Sequence, residues 1–102
     1  MIKKHSRDLN KLKVLVQPVA VKYGVKAVYI FGSYARNEAT DSSDFDFYIE
    51  KGELRNLFQL AGFRLELQNI LQKPVDVVTT GIKDSKLLAE IEKDKVLIYE
   101  AS

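Results

Sequence analysis

The spacing of apolar residues along the chain predicts three helices. Apolar side chains recur at intervals of three and four over residues 6–23, 53–72 and 84–93, which is the spacing of a helix with one buried face. Proline removes a backbone hydrogen bond and clashes with the preceding turn, so we expect Pro18 to kink the first helix or to divide it in two. The residues of the second helix expected to cover the sheet are Leu54, Leu57, Phe58, Ala61, Leu65 and Ile70.

Four shorter segments have the composition of strands. Residues 26–31 (KAVYIF) are almost entirely apolar, as in a strand that is covered on both faces. Residues 44–50 (DFDFYIE) alternate between apolar and mostly acidic side chains, which indicates a strand with its apolar side chains on one face. Residues 75–80 and 95–99 complete the set. The predicted order of elements is α-β-β-α-β-α-β, which is typical of an α/β sandwich.

Composition narrows the class of protein. The chain has 102 residues, enough for one hydrophobic core, so we expect a single domain over residues 1–102. It contains no cysteine, which excludes thiolate metal sites and favours a reducing, cytoplasmic location. No stretch approaches the roughly 18 apolar residues of a membrane span. The formal charge is only +2 and the basic residues are scattered, so we expect no direct binding of nucleic acid.

A pair of aspartates in the alternating strand is the strongest chemical pattern. Asp44 and Asp46 are expected on one face, about 6.6 Å apart at Cα, because residues two apart in a strand point the same way. Two converging carboxylates repel each other unless a cation lies near them. Mg²⁺ prefers oxygen ligands and is commonly held by one or two carboxylates together with nucleotide phosphates. The alternative is that both acids belong to the solvated face of an edge strand.

Four further residues can complete such a site. Gly32 and Ser33 follow the apolar strand at a turn, where backbone N–H groups and a hydroxyl can bind phosphate; an ordinary turn is the alternative. Arg36 can add a charge-assisted contact, although a plain surface charge fits the sequence as well. Asp76 is alone in the apolar segment VDVV, where a charge is costly unless it faces a site or solvent. If its strand neighbours that of the paired aspartates, three carboxylates cluster.

Taken in order, these motifs resemble the polymerase-β-type nucleotidyltransferase superfamily. The family signature is a Gly-Ser pair followed, after ten residues, by Asp-x-Asp, and here the two parts are Gly32-Ser33 and Asp44-Phe45-Asp46. With GSYAR, SDFDFYIE, PVDVVT and VLIYE following one another along the chain, the protein is similar in particular to the minimal nucleotidyltransferases (MNT). These are commonly the antitoxin half of HEPN/MNT toxin-antitoxin pairs. The resemblance implies a mixed β-sheet of about four strands packed with helices.

The resemblance also implies a role for each matching position. Gly32 and Ser33 would hold the phosphates of a nucleoside triphosphate, with assistance from Arg36. The implied ligands of two Mg²⁺ ions are Asp44, Asp46 and Asp76. Asp76 would also help to activate the acceptor hydroxyl. One departure is Asn37, where many relatives have glycine; asparagine tolerates a left-handed backbone, so we expect the loop to keep its shape.

The implied reaction is the transfer of AMP from ATP to a protein hydroxyl, with a tyrosine of a partner HEPN ribonuclease as the implied acceptor and pyrophosphate as the leaving group. The sequence leaves open an antitoxin that neutralises its toxin by binding alone. A third possibility, modification of a small hydroxylated molecule, is disfavoured because no second domain to enclose such an acceptor is evident in the chain.

Overall fold

In the computed structural model, which describes residues 9–102, helices and strands alternate along the chain. The helices are α1 (Leu9–Tyr23), α2 (Gly32–Ala35), α3 (Leu57–Leu71) and α4 (Ser85–Asp94). The strands are β1 (Ala27–Phe31), β2 (Phe45–Glu50), β3 (Val75–Thr79) and β4 (Val96–Glu100). The predicted α/β class is confirmed, and α2 is an additional element whose four residues are too few to show a helical period. The start of the first predicted helix, residues 6–8, lies outside the described residues.

The four strands form one mixed sheet in the order β3-β2-β1-β4. β2 runs parallel to β3, whereas β1 is antiparallel to both β2 and β4. In this register Phe31 at the end of β1 lies opposite Asp46, and Asp46 lies opposite Asp76. The topology therefore aligns the end of the apolar strand with two acids on the next two strands.

Helices cover both faces of the sheet. On one face α1 and α3 pack over a large apolar cluster that includes Phe47 and Ile30, both fully buried. On the other face α4 packs Ile91 against Phe31 and Tyr48. Because β1 and β2 send alternate side chains to opposite faces, both strands contribute to both clusters, as the pattern of KAVYIF predicts. Within residues 9–102, no helix is long and apolar enough to cross a bilayer.

The first helix continues through its proline without being divided. α1 is a single helix with Pro18 inside it, so the expectation of two short helices is wrong. Pro18 and Val14, four residues earlier, are both exposed. The Val14 carbonyl that loses its partner can therefore bond to water, which reduces the penalty of a proline at this position. Gly24 follows the helix with φ +68°, the left-handed conformation expected of the residue that ends it.

The long helix buries a different face from the one predicted. α3 begins at Leu57, after Asn56 accepts a hydrogen bond from the Gln59 N–H at 2.9 Å. Phe63 and Leu67 are its buried residues, whereas Phe58 is 91% exposed and Leu57 80% exposed. The residues from the predicted sheet-facing set that are exposed are Leu57, Phe58, Ala61, Leu65 and Ile70. The sequence carries two apolar stripes on this helix, and only contact with α1 and the sheet decides which of them is covered.

Candidate active site

Gly32, Asp46 and Asp76 lie side by side in space. Gly32 follows β1 directly, Asp46 is in β2 and Asp76 is in β3. The pairing of β1 with β2 and of β2 with β3 brings them together at one edge of the sheet, where neighbouring strands are about 4.8 Å apart. Asp44 lies just before β2, two residues ahead of Asp46. Asp44 and Asp76 are exposed, and Asp46 is half-buried. The structure thus places all three acids near the end of β1.

The backbone at Gly32 approaches the Asp46 carboxylate closely. Gly32 has φ +74°, which disfavours any residue with a side chain. A Cβ atom at this position would lie only 2.5 Å from Asp46 Oδ2 and 3.2 Å from its Cγ. Glycine is therefore needed here for two independent reasons, the left-handed backbone and the space that the carboxylate occupies.

The charges of the three acids act on one another. Burial raises the pKa of Asp46 above its ordinary value, and the negative charges of Asp76 and Asp44 raise it further. The positive charge of Arg36 opposes this effect. A cation placed among these carboxylates would favour the ionised form of Asp46. The electrostatics of the site therefore suit a bound cation.

The donor set fits magnesium only if other ligands complete the coordination. Carboxylate oxygens are the ligands that Mg²⁺ prefers, and one or two of them suffice when phosphates and water supply the others. Within residues 9–102, no group of three or more histidine, aspartate or glutamate side chains is arranged to hold one ion by itself. Asp46 with one neighbouring acid can hold Mg²⁺ together with a nucleotide, whereas the expected cluster of three acids does not form a closed metal site.

Arg36 is engaged by two acids in this structure. Its Nε donates to Glu38 Oε1 at 2.9 Å and its Nη1 to Asp94 Oδ2 at 2.8 Å. The Asp94 side chain is only 12% exposed. Arg36 thereby ties the segment after α2 to the last residue of α4. Both possibilities left open by the sequence, a phosphate contact and a surface charge, remain predictions.

The loop between α2 and β2 has the shape expected of it. Asn37 adopts φ 60°, the left-handed conformation expected at this position. The Glu38 N–H then donates to the Ser33 carbonyl at 2.8 Å. At the other end of the loop Lys73 Nζ donates to the carbonyl of Asp41 at 2.6 Å. Sequence reasoning missed Lys73, because nothing near it in the chain indicates a contact 32 positions away.

A groove lined mainly by apolar side chains lies away from the acids. It has a volume of about 430 Å³ and lies between α1, α3 and the start of β2. Its lining includes Tyr34 and Phe45, whose rings stack with their centroids 4.2 Å apart. The Phe45 side chain belongs to the α1/α3 face of the sheet, opposite to that of its neighbours Asp44 and Asp46. Asp44 and Asp76 are instead exposed at the protein surface, where a large partner can reach them, and Asp46 is half-buried beside them.

Comparison with known proteins identifies the family to which this geometry corresponds. Residues 15–102 match the family described as polymerase beta, nucleotidyltransferase. A candidate protein adenylyltransferase of Methanocaldococcus jannaschii is 44% identical over 72 residues, which are 71% of this chain and 77% of the relative. These similarities agree with the resemblance expected from the sequence motifs.

Solved structures share the fold. A candidate minimal nucleotidyltransferase superposes with a TM-score of 0.71 at 30% identity, covering 87% of this chain and 94% of the other. A chain from the complex of the tri-AMPylated Shewanella oneidensis HEPN toxin with its MNT antitoxin superposes with a TM-score of 0.63 at 17% identity, covering 91% and 70% of the two chains. At that identity the second similarity establishes the fold alone. The predicted mixed four-stranded sheet packed with helices is thus confirmed.

Proposed function

Because the chain belongs to the polymerase beta nucleotidyltransferase family, we propose that it transfers AMP from ATP to a hydroxyl group of a partner protein. The proposed partner is a HEPN-domain toxin, the proposed acceptor is a tyrosine, and the proposed role of the chain is that of antitoxin. The observation that carries the proposal is the close approach of the Gly32 backbone to the Asp46 carboxylate, beside Asp76. That contact joins the phosphate-binding turn to the acids in one site. The M. jannaschii relative and the AMPylated HEPN toxin support this choice of reaction and partner.

The proposed roles follow from position. The turn at Gly32 and Ser33 binds the phosphates of ATP, and Arg36 assists if it exchanges an acidic partner for phosphate. Asp44, Asp46 and Asp76 supply oxygen ligands for Mg²⁺. When bound, the metal lowers the pKa of the attacking hydroxyl and stabilises the leaving oxygen. The half-buried Asp46, which lies next to Gly32, would place its metal-ligating oxygens beside this turn.

The chemical step is an in-line displacement at the α-phosphorus of ATP. The acceptor oxygen forms a bond to this phosphorus while the bond to the oxygen that bridges the α- and β-phosphates breaks, so that pyrophosphate leaves. The proton of the hydroxyl passes to the Asp76 carboxylate. Asp76 suits this role because it is exposed on β3, the outermost strand on its side of the sheet. An acceptor approaching from solvent can therefore reach it.

Neutralisation by binding alone is the second candidate, and exposed apolar residues favour it. Phe58 and Leu57 at the start of α3 are almost fully exposed, and Leu65 is 56% exposed on the same helix. Val14 and Val21 of α1 are also exposed. Large apolar side chains exposed to solvent mark a protein interface when they form one patch. Masking requires a surface of this kind, and its presence does not exclude catalysis.

A toxicity rescue assay separates the two candidates. The chain is co-expressed with its HEPN partner as the wild type, as Asp44→Asn and as Asp46→Asn. Asp41→Asn is the matched control, since it changes an exposed acid of the same loop outside the proposed ligand set. Catalytic neutralisation predicts that only Asp44→Asn and Asp46→Asn fail to rescue growth. Full rescue by all variants would favour masking, and comparable amounts of folded protein must be verified for each.

A further inference from the structure

We propose that Lys73 is a positioning residue, which holds the loop that precedes Asp44 at a fixed distance from the strand that carries Asp76. The proposal rests on the proposed function, because it concerns the spacing of the proposed metal ligands. Lys73 itself touches none of these carboxylates in the bonds described below. It acts through the backbone on both sides of the site.

The Lys73 ammonium bridges to the backbone of the acidic loop. Its Nζ lies 2.6 Å from the carbonyl oxygen of Asp41 and 3.3 Å from that of Ser43. The next residue, Pro74, accepts a hydrogen bond from the Phe45 N–H at 3.0 Å. Three bonds therefore join residues 73–74 to residues 41–45, and Asp44 lies within the joined segment. Hydrogen bonds from an ammonium group are stronger than those between neutral groups.

The backbone next to Lys73 is itself held in place by α3. The Val75 N–H donates to Gln68 Oε1 at 3.0 Å, and the Val75 carbonyl accepts from Arg64 Nε at 2.8 Å. β3 is an edge strand, so α3 side chains replace the strand that would otherwise pair with these outward groups. Asp76 follows directly after this doubly bonded residue. The position of Lys73 is thus fixed relative to Asp76.

The loop has bonds of its own, but they do not attach it to this strand. The Thr40 N–H donates to Ser43 Oγ at 2.8 Å, and the Ser43 N–H donates to the Thr40 carbonyl at 3.0 Å. These bonds shape a turn within residues 40–43. The Lys73 side chain is what connects the turn to the β3 side of the site. Removing its ammonium group should leave the turn formed and allow it to move, together with Asp44.

The test compares Lys73→Met, which keeps most of the side-chain stem and removes the donor, with Lys73→Arg, which retains a charged donor. Lys83→Met is the matched control, because Lys83 is exposed and lies beyond the opposite end of β3. Amide hydrogen exchange across residues 40–44 is measured on metal-free and on Mn²⁺-loaded protein. The affinity for Mn²⁺ is measured separately, by a titration in the presence of a non-hydrolysable ATP analogue that is monitored by electron paramagnetic resonance.

We expect Lys73→Met to accelerate exchange across residues 40–44 and to weaken Mn²⁺ binding about 10-fold or more, the usual effect of losing a group that supports metal ligands. Lys73→Arg and Lys83→Met should stay within about twofold of the wild type, and exchange in α1 should be unchanged in all variants. Lys73→Gln provides a milder neutral change if the Met variant does not fold. Wild-type exchange and Mn²⁺ affinity in a folded neutral variant would overturn the proposal. A wild-type protein that transfers no AMP would instead count against the proposed function, and the exchange comparison would still decide whether Lys73 holds the loop.

Discussion

Gly32→Ala should separate the catalytic geometry from the stability of the fold. The substitution forces a side chain onto a residue with φ +74°, which costs about 1–2 kcal/mol. It also places a Cβ atom 2.5 Å from Asp46 Oδ2, whereas ordinary contact begins near 3.4 Å. The carboxylate oxygen must therefore retreat by about 0.9 Å. A displacement of this size at a reacting centre can reduce the rate about 100-fold.

Gly81→Ala is the matched control for this prediction. Gly81 also has a left-handed backbone, with φ +97°, but a Cβ atom there would meet nothing within 4 Å. Both variants should lose a similar free energy of unfolding in urea, since both carry the backbone cost. Only Gly32→Ala should lose transfer of label from ATP labelled at the α-phosphate. Transfer by folded Gly32→Ala within about twofold of Gly81→Ala would refute the claim that the contact with Asp46 positions the reaction.

Three other substitutions test the packing and the capping of α3. Phe63→Ala should lower the free energy of unfolding by about 3–5 kcal/mol because Phe63 is fully buried. Phe58→Ala should change the free energy of unfolding in urea by less than about 0.5 kcal/mol, because Phe58 is exposed. It should weaken binding to the HEPN partner, as measured by titration calorimetry. Similar stability losses for Phe63→Ala and Phe58→Ala would contradict the assigned faces of the helix. Asn56→Ala should cost about 1 kcal/mol through loss of the helix cap, and an unchanged urea midpoint would show that the cap contributes nothing.

Local patterns were sufficient to predict most elements of the fold. The alternation of DFDFYIE gave the faces of β2 correctly, because side-chain direction in a strand depends only on position. The buried face of α3 was predicted wrongly because its sequence contains two apolar stripes, and long-range packing against α1 and the sheet selects Phe63 and Leu67. Helix α2 was not predicted because its four residues are too few to show the 3.6-residue period of a helix.

The site was predictable in its residue types but not in its contacts. The spacing of Gly32 from Asp46 indicated the family, and the structure adds the steric reason for glycine, which depends on the register between β1 and β2. The pairing of Asp76 with Asp46 needed the strand order, which a single sequence does not determine. Two sets of hydrogen bonds join residues 30 or more positions apart, those of Lys73 to the acidic loop and that of Arg36 to Asp94. No local sequence pattern predicts contacts at this separation.

Direct detection of AMP transfer tests the central claim most directly. The pure protein is incubated with its HEPN partner, Mg²⁺ and ATP labelled at the α-phosphate, beside Asp46→Asn and the control Asp41→Asn. We predict label on the partner with the wild type and with Asp41→Asn, and none with Asp46→Asn. A partner that binds tightly to the wild type and acquires no label would contradict the enzymatic account and leave masking as the better explanation.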